Sequence, residues 1–305
     1  MASVGKRLVL LAAVIVVAGL CLLPLYPVLQ GNVPADASPA LGLPPWQDAA
    51  PEGTEAGAPS AETLRYLPWT IHLSRTVQQG ELPLWNPLES NGLPFFALWQ
   101  TRCLSPFSLP LYFLPLAAGL TVSAALKIAA AALFAFIAAR RFGMSPAASL
   151  VAAVVFGQSP LLLTRLGYPI SDGLPWLPLI LVQVEYLAFR KRSAWIPLAL
   201  LLALAGFGGG PAFLLATVVF VAAYAVLRAG TVNGWGVARG EALRTAGIGV
   251  AGALLLLAVQ IVPFVRFLWL SAAAGFDYPG PAPSLSALPA LLAPGLAAGD
   301  WTAAA

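Results

Sequence analysis

The sequence predicts an all-α polytopic membrane protein, with about seven transmembrane helices and a large first external loop that carries juxtamembrane helices. Composition is the first reason, because 59% of the 305 residues are hydrophobic and only 9% are charged, whereas charged residues make up about a quarter of a soluble domain. The mean hydropathy of +0.84 agrees with this. The other reasons are apolar runs long enough to cross a bilayer and basic residues gathered at alternate ends of these runs.

The first apolar run follows a basic N-terminus. Lys6 and Arg7 precede the stretch from Leu8 to Leu29, and about 22 residues at 1.5 Å each match a ~30 Å hydrocarbon core. A cleavable signal peptide is the alternative, because Ala35-Asp36-Ala37 resembles a cleavage site with small residues. The apolar region of a signal peptide is shorter, at roughly 7–15 residues. We therefore predict that residues 1–29 form a retained signal-anchor helix with the N-terminus in the cytoplasm.

Residues 30–118 are predicted to form the first external loop, because they are mostly polar and rich in acids up to residue 104. The pattern becomes helical from 60 to 79, with Ser60 as the N-cap. We expect this helix to lie near the membrane surface. One side of it would carry Leu64, Leu67, Thr70, Ile71 and Ser74. The apolar stretch 104–118 is short and interrupted by proline, which favours a re-entrant piece over a span.

Residues 119–268 are predicted to form the helical transmembrane bundle. Its spans are expected at 119–139, 146–164, 173–189, 194–208, 211–227 and 245–268, with a turn at Gly208-Gly209-Gly210. The basic residues that then fall on the cytoplasmic side, as the positive-inside rule requires, are Lys6, Arg7, Arg140, Arg141, Arg190, Lys191, Arg192, Arg228, Arg239 and Arg244. Residues 269–305 are expected to be external and to begin a further part that the chain does not contain.

The sequence offers no metal-ligand set, and we expect no cofactor. Two cysteines and one histidine cannot build a Cys/His zinc site or a disulfide framework. Cys21 lies in an apolar run and is predicted to be buried there. An acid pair such as Glu62 and Asp172 is the one arrangement that could recruit a divalent ion. The lack of a G-x-x-x-x-G-K-[ST] motif argues against an ATP-driven pump.

Three charged residues fall at unusual places in this map. Lys127 lies inside the 119–139 span, where an isolated ammonium would cost several kcal/mol. Its side chain either reaches the headgroups along its own stem or faces a cavity or a lipid phosphate. Asp172 lies in a short external turn, either as a solvated loop acid or helix cap or as part of a site with Arg165 and Tyr168. Glu185 lies near the inner end of its span and is predicted to pair with cytoplasmic arginines.

The external loop carries the densest group of polar and aromatic residues. Glu62, Arg65, Trp69 and His72 follow one another at helical spacing. One helix face can therefore present an acid, a guanidinium, a ring and an imidazole together. His72 has neither a second histidine nor a neighbouring cysteine, and we expect it to form hydrogen bonds at the helix surface rather than to act as a ligand or base.

Six short motifs follow one another along the chain. They are Glu81-Leu82-Pro83-Leu84-Trp85-Asn86-Pro87, Asn91-Gly92-Leu93-Pro94, Leu104-Ser105-Pro106-Phe107, Arg140-Arg141-Phe142-Gly143, Leu174-Pro175-Trp176-Leu177-Pro178-Leu179 and Ala258-Val259-Gln260-Ile261-Val262-Pro263. In this order they resemble the YfhO family of bacterial multi-spanning proteins, within the C-type (GT-C) membrane glycosyltransferase superfamily. The resemblance covers about 62–300.

The resemblance implies a GT-C-like glycosyltransferase in the bacterial plasma (inner) membrane. It would move a sugar from a polyprenyl-phosphate donor to a cell-envelope glycan or lipid acceptor at the outer face. Its partners would be membrane lipid, that donor and that acceptor, and no nucleic acid. Such enzymes use an acid in the first external loop, usually an aspartate, whereas the matching stretch Glu62–Pro68 has glutamate. Glu62 is therefore the first candidate for the catalytic base, and Asp172 is the alternative.

Cationic and aromatic residues near these acids are the candidates for substrate binding, because positive charge offsets the charge on a departing lipid phosphate. They are Arg65, Tyr66, Arg102, Lys127, Arg165 and Tyr168. Two other classes of function stay open. One is a transporter or flippase of a lipid-linked substrate, in which Lys127 would contact phosphate, and the other is a non-catalytic membrane scaffold or fragment.

Overall fold

The computed structural model describes residues 19–35, 60–89, 91–188, 194–233 and 237–273. Within these residues the chain is helical, and the one β-type pairing is an isolated bridge between Asn86 and Leu93. The predicted all-α class is confirmed to this extent. By its internal contacts the chain divides into Met1–Val265 and Arg266–Ala305, and of the second unit the structure describes only the last turns of one helix.

The α-helices are numbered here in chain order. They are α1 (Leu67–Gln78), α2 (Leu109–Phe113), α3 (Leu116–Arg141), α4 (Pro146–Gly157), α5 (Pro160–Leu163), α6 (Ile170–Gly173), α7 (Leu177–Ala188), α8 (Trp195–Asn233), α9 (Val237–Leu256) and α10 (Ala258–Ala273). A π-helix, Glu62–Tyr66, runs directly into α1. The signal anchor predicted over 1–29 lies largely outside the described residues, which begin at residue 19. The part that is described contains the 3-10 helix Leu23–Gln30.

Three helical segments of the described chain are long and apolar enough to cross a membrane. They are Leu116–Arg141, Pro146–Leu163 and Trp195–Thr231. A fourth is added if Leu243–Leu256 and Ala258–Ser271 are counted as one span, although they are bent by 71°. These helices support the prediction of a membrane protein.

Helix α8 breaks at Gly210, whose φ of 79° and ψ of 177° are not helical. A straight helix would hold Ala194 and Ala225 about 46 Å apart, yet both belong to one buried cluster. Near the end of α8, Arg228 Nη2 lies 2.6 Å from Glu185 Oε1 on α7. The chain therefore reverses at Gly210, and the predicted break between 194–208 and 211–227 is confirmed.

Two predicted spans differ from the structure. The stretch 245–268 is not one straight helix, because the chain turns at the fully buried Leu257 between α9 and α10. The predicted span 173–189 begins with the end of α6 and a 3-10 turn, Leu174–Trp176, before α7 starts. Pro175 and Pro178 lie in this stretch, and proline removes a helical hydrogen-bond donor.

Close packing of small residues brings α3 and α4 together. The buried positions of α3 include Ala124, Ile128, Ala131 and Ala135, which recur at helical spacing. A β-carbon on Gly157 of α4 would be 3.0 Å from Ala132 Cβ and 3.3 Å from Cys21 Sγ. Cys21 is 1% exposed, so its predicted burial is confirmed.

The segment 60–113 covers one end of the bundle, which we call the loop end. Trp99 Nε1 donates to Gly206 O at 2.8 Å, and Gln260 Nε2 donates to Phe96 O at 2.7 Å. Ser74 Oγ donates to Leu111 O at 2.9 Å, which joins α1 to α2. The first two bonds attach the segment to α8 and α10 and hold it over the bundle.

The helix predicted over 60–79 is present, and Ser60 Oγ accepts from Thr63 N at 3.2 Å as the predicted N-cap. Its buried side is different from the predicted one. Thr70 and Ser74 are buried as expected, but Leu64 is 52% exposed. The π-helix shifts the positions before Leu67 relative to α1, because its turn is wider than an α-helical turn. The predicted re-entrant piece 104–118 consists of the 3-10 turn Pro106–Ser108, α2 and the start of α3.

Candidate functional site

A buried ion cluster lies at the loop end of the bundle. Asp172 Oδ1 is 2.6 Å from Lys127 Nζ and 3.4 Å from Arg102 Nη1. The exposed fractions are 1% for Asp172, 2% for Lys127 and 7% for Arg102. The three residues come from α6, α3 and the loop between a 3-10 turn and α2, so that the cluster joins distant parts of the chain.

All three N–H donors of the Lys127 ammonium have acceptors within the protein. Its ammonium donates to Leu166 O at 2.8 Å and to Ser171 Oγ at 3.0 Å, in addition to Asp172. The alternative in which its side chain reaches the headgroups is wrong, because the side chain is buried and its nitrogen bonds inward. Burial of this cation in an apolar bundle is tolerated because each N–H has an acceptor and a carboxylate balances the charge.

Arg102 is held in an unusual backbone conformation. Arg102 directly follows the 3-10 turn Trp99–Thr101, and its φ of 61° lies in the left-handed region. Residues other than glycine rarely adopt this conformation. Its Nη2 donates to Thr70 Oγ1 at 2.7 Å, and Thr70 in turn donates to Tyr66 O at 2.7 Å. The strained backbone thus directs the guanidinium inward, between α1 and α6.

Asp172 is not the solvated loop acid that the sequence allowed. Besides the two cations, Ser105 Oγ donates to its Oδ2 at 2.5 Å. A β-carbon on Gly208 would be 2.4 Å from Asp172 Cβ, so only glycine leaves room for the acid at that point of α8. Burial alone would raise the pKa of Asp172, but Lys127 and Arg102 outweigh it and hold the pKa below its usual value.

Glu62 approaches the same cluster from the π-helix. A β-carbon on Gly167 would be 2.0 Å from Glu62 Oε1, so the carboxylate lies directly against the backbone at 167. Glu62 is also near enough to Lys127 to attract it electrostatically. The structure therefore brings together Glu62, Arg102, Lys127 and Asp172, with Asp172 innermost.

A small open cleft of about 30 Å³ lies between these residues. Its polar lining comprises Glu62, Thr70, Arg102, Ser123 and Lys127, and its apolar lining comprises Pro34, Ala35, Leu67, Leu111, Leu120, Ala124 and Leu166. The cleft is thus apolar along its walls and charged at one place.

The other predicted binding residues form an aromatic and cationic row beside Glu62. The guanidinium of Arg165 lies 4.6 Å from the ring centre of Tyr168, whose ring is 5.2 Å from that of Tyr66. The guanidinium of Arg65 lies 5.7 Å from the ring centre of Trp69. Arg65 and Arg165 are exposed, and they are not bonded to the ion cluster. They are separate from the cations of the cleft.

Several residues of the six sequence motifs have structural contacts in the loop. Asn86 and Leu93 exchange backbone hydrogen bonds of 2.8 and 2.9 Å, and a β-carbon on Gly92 would be 2.4 Å from the Trp85 ring. His72 Nε2 and Trp85 O are 3.1 Å apart, which confirms the predicted hydrogen-bonding role of His72. Together they stabilise a tight turn beside α1.

Sequence reasoning did not identify five residues that shape the site. Thr70, Ser105 and Ser171 bind its charged groups, while Gly167 and Gly208 give room to its two acids. Ser171 precedes Asp172, and Ser105 lies in one of the six motifs, which were the available signals. The glycines gave none, because their role depends on contacts with distant parts of the chain.

The acid pair proposed as a divalent ion site has the wrong surroundings. Asp172 is in contact with two cations, which disfavours a third one. Among the described residues no group of three His, Cys, Asp or Glu side chains could hold a metal ion. The site is therefore suited to an anion beside its cations and to proton transfer at Glu62.

A second ion pair lies at the other end of the bundle. Arg228 donates through Nε to both carboxylate oxygens of Glu185, at 2.9 and 2.8 Å, and Tyr224 donates to the same acid at 3.3 Å. The predicted pairing of Glu185 with an arginine is confirmed. Its other predicted partners, Arg190 and Arg192, lie outside the described residues.

No protein-family model matches this chain, and no curated protein or solved structure matches it significantly.

Proposed function

We propose that this chain is a membrane glycosyltransferase that moves a sugar from a polyprenyl-phosphate donor to a cell-envelope acceptor. One observation carries the proposal: the Glu62 carboxylate and the cations of Arg102 and Lys127 line the same cleft. Transfer of a sugar from a lipid phosphate needs a base for the acceptor hydroxyl and positive charge for the departing phosphate. The cleft brings both kinds of group to one partly dehydrated place.

In the proposed reaction the acceptor oxygen attacks the anomeric carbon and forms a new C–O bond. The bond between that carbon and the phosphate oxygen breaks, and the electron pair leaves with the polyprenyl phosphate. Glu62 takes the proton of the acceptor hydroxyl. Once Glu62 has taken this proton, the two cations Arg102 and Lys127 and the carboxylate of Asp172 leave one positive charge to offset the charge on the leaving phosphate.

The apolar lining supports a lipid-linked donor. Leu67, Leu111, Leu120 and Leu166 lie beside the charged part of the cleft. A phosphate attached to an isoprenoid would meet apolar side chains and cations in adjacent positions. A free nucleotide sugar would gain nothing from those walls.

The architecture that we propose is GT-C-like, with about seven spans if the N-terminal anchor and both halves of α8 are counted. The loop end would face the outside of a bacterial plasma membrane. Arg140, Arg141 and Arg228 lie at the ends of α3 and α8 remote from the loop, where the positive-inside rule expects the cytoplasm.

The geometry favours Glu62 over Asp172 as the base. Asp172 is 1% exposed, and its carboxylate is occupied by Lys127, Arg102 and Ser105. A carboxylate held charged by two cations is a weak proton acceptor. Glu62 is half-buried and lines the cleft that a substrate would enter.

The proposal is tested with Glu62→Gln, which removes the charge at nearly constant shape. Membranes that contain each variant are assayed for sugar transfer from a polyprenyl-phosphate donor. We expect a loss of about 10²–10⁴-fold in rate, as for a lost general base. The matched control is Glu81→Gln, because Glu81 is an exposed acid of the same loop, and it should retain full activity. Full activity of Glu62→Gln would contradict the assignment of the base.

The transporter and scaffold alternatives predict other arrangements. A transporter would carry polar side chains through both halves of its bundle, whereas here the buried ion cluster and the cleft lie at the loop end and the other described ion pair is partly exposed. A scaffold would need no cleft that collects an acid and two cations. Sugar transfer by the purified protein would distinguish an enzyme from both the transporter and the scaffold.

A further inference from the structure

The two cations of the cleft differ in how many hydrogen-bond donors they have left. An ammonium carries three N–H donors. Lys127 uses them on Leu166 O at 2.8 Å, Ser171 Oγ at 3.0 Å and Asp172 Oδ1 at 2.6 Å. It can bind a further acceptor only by giving up one of these bonds.

Arg102 is in the opposite situation. A guanidinium has five N–H donors in a planar fork. Within the described residues, the hydrogen bonds of Arg102 use one donor of Nη1, on Asp172, and one donor of Nη2, on Thr70. Because Arg102 lines the cleft, its remaining donors are available to a ligand there.

We propose that Arg102 is the residue that binds the phosphate of a lipid phosphate in this cleft, that Lys127 positions Glu62, and that neither Lys127 nor Asp172 touches the phosphate. This inference rests on the proposed function for the identity of the anion. Asp172 accepts one hydrogen bond from Arg102 and balances one of the two positive charges. Arg102 lines the cleft, and the donors that Asp172 and Thr70 do not use are left for an anion there.

Lys127 also positions Glu62, through the turn 166–171. It donates to Leu166 O and Ser171 Oγ, and the single O–H of Ser171 has two acceptors in reach, Tyr168 O at 2.7 Å and Leu166 O at 2.9 Å. Gly167, against which the Glu62 carboxylate lies, is in this turn. Lys127 thus connects the base on one side with Arg102 on the other.

The test uses two double variants with the same net charge in the cluster. Lys127→Met with Asp172→Asn retains Arg102 alone, and Arg102→Gln with Asp172→Asn retains Lys127 alone. Each removes one cation together with the carboxylate, so neither leaves an unpaired buried acid. A difference between them therefore reports which cation meets the anion and not the total charge.

Binding is measured by calorimetry on purified protein in detergent, with farnesyl phosphate as the probe and farnesol as the uncharged control. We expect the preference for farnesyl phosphate to persist when Arg102 is retained and to fall about tenfold or more when only Lys127 is retained, as for the loss of a charge-assisted hydrogen bond. Loss of the preference in Lys127→Met/Asp172→Asn would overturn the proposal. Its retention in Arg102→Gln/Asp172→Asn would do the same.

Arg102→Lys is the second variant, because it keeps the charge and leaves the cluster paired. Its preference for farnesyl phosphate over farnesol should be several-fold smaller than that of the unmodified protein. An unchanged preference would overturn the proposal even if a double variant fails to fold. A transfer assay on the same preparations measures the effect of each variant on kcat and on KM separately. Lys127→Met/Asp172→Asn should lower kcat through Glu62 while KM for the donor changes little.

The binding measurement needs no turnover, so it separates this inference from the proposed function. Absence of sugar transfer in the unmodified protein would contradict the glycosyltransferase proposal. An Arg102-dependent preference for farnesyl phosphate would still support the anion site in that case.

Discussion

The carboxylate of Glu62 lies so close to the backbone of Gly167 that a β-carbon at 167 would be 2.0 Å from Oε1. Real atoms cannot approach so closely, so any larger residue at 167 must move the acid. The missing side chain of Gly167 is therefore part of what gives Glu62 its place in the cleft. A substitution at Gly167 can therefore displace the Glu62 carboxylate without changing the charge of the site.

Gly167→Ala should lower sugar transfer about 10²-fold, because a shift of about 1 Å in a reacting group can cost that much. The rate is measured in membranes as for Glu62→Gln. Gly247→Ala is the control, since a β-carbon at Gly247 has nothing within 4 Å, and it should leave the rate unchanged. Equal rates in both variants would show that the position of Glu62 does not matter for transfer.

Asp172→Asn should destabilise the protein strongly, because it leaves Lys127 and Arg102 buried without their carboxylate. Loss of one partner of a buried ion pair typically costs about 3–5 kcal/mol. Adding Lys127→Met should restore much of this, since one cation is removed with the acid. The midpoints of thermal unfolding in detergent give the comparison. A double variant no more stable than Asp172→Asn alone would contradict the pairing.

The same acid predicts how stability depends on pH. The pKa of Asp172 is lowered in the folded protein, where the two cations outweigh the effect of burial. Its stabilisation is therefore fully present above the unfolded pKa of about 3.9 and is lost as the pH falls through the lower folded pKa. The difference in thermal midpoint between the unmodified protein and Lys127→Met/Asp172→Asn should be constant from about pH 5 to 7 and change only below about 4. A change centred near pH 6 would be inconsistent with a lowered pKa of Asp172 in the folded protein.

The reversal of α8 at Gly210 predicts a cross-link between Glu185→Cys and Arg228→Cys. The two side chains form an ion pair of 2.6 Å, so a bifunctional maleimide with a spacer about as long as these two side chains can join cysteines at both positions. The background replaces Cys21 and Cys103, the two native cysteines. Treatment with this cross-linker should give a faster-migrating band on gel electrophoresis. Glu185→Cys with Leu215→Cys is the control, because Leu215 is an exposed residue near the opposite end of the second half of α8, and it should not cross-link.

Local patterns were sufficient to predict several elements of this fold. The apolar run before Arg140 and Arg141 predicted α3, the three glycines before Pro211 predicted the break in α8, and Ser60 predicted a helix start. Each of these features depends on residues that are neighbours in the chain. Glu185 could also be assigned a basic partner, because arginines are frequent at that end of the bundle.

The burial of Asp172 could not be predicted in the same way. Its partners Ser105 and Arg102 are about seventy residues earlier in the chain, so that its turn appeared to be a solvated loop. The bend at Leu257 likewise depends on contacts of α10 with the loop, including the bond from Gln260 to Phe96. Hydropathy records how apolar a stretch is and contains no information about such distant contacts.

The π-helix Glu62–Tyr66, in which Leu67 N donates to Glu62 O, has a further consequence. Such a turn holds one residue more than an α-helical turn, and each residue of a helix rotates the chain by about 100°. A gene that lost a single codon between 62 and 66 would encode a more regular helix with α1 unchanged. Its Glu62 would point away from Gly167, so an inherited difference of one residue in length could remove the site while the fold survives.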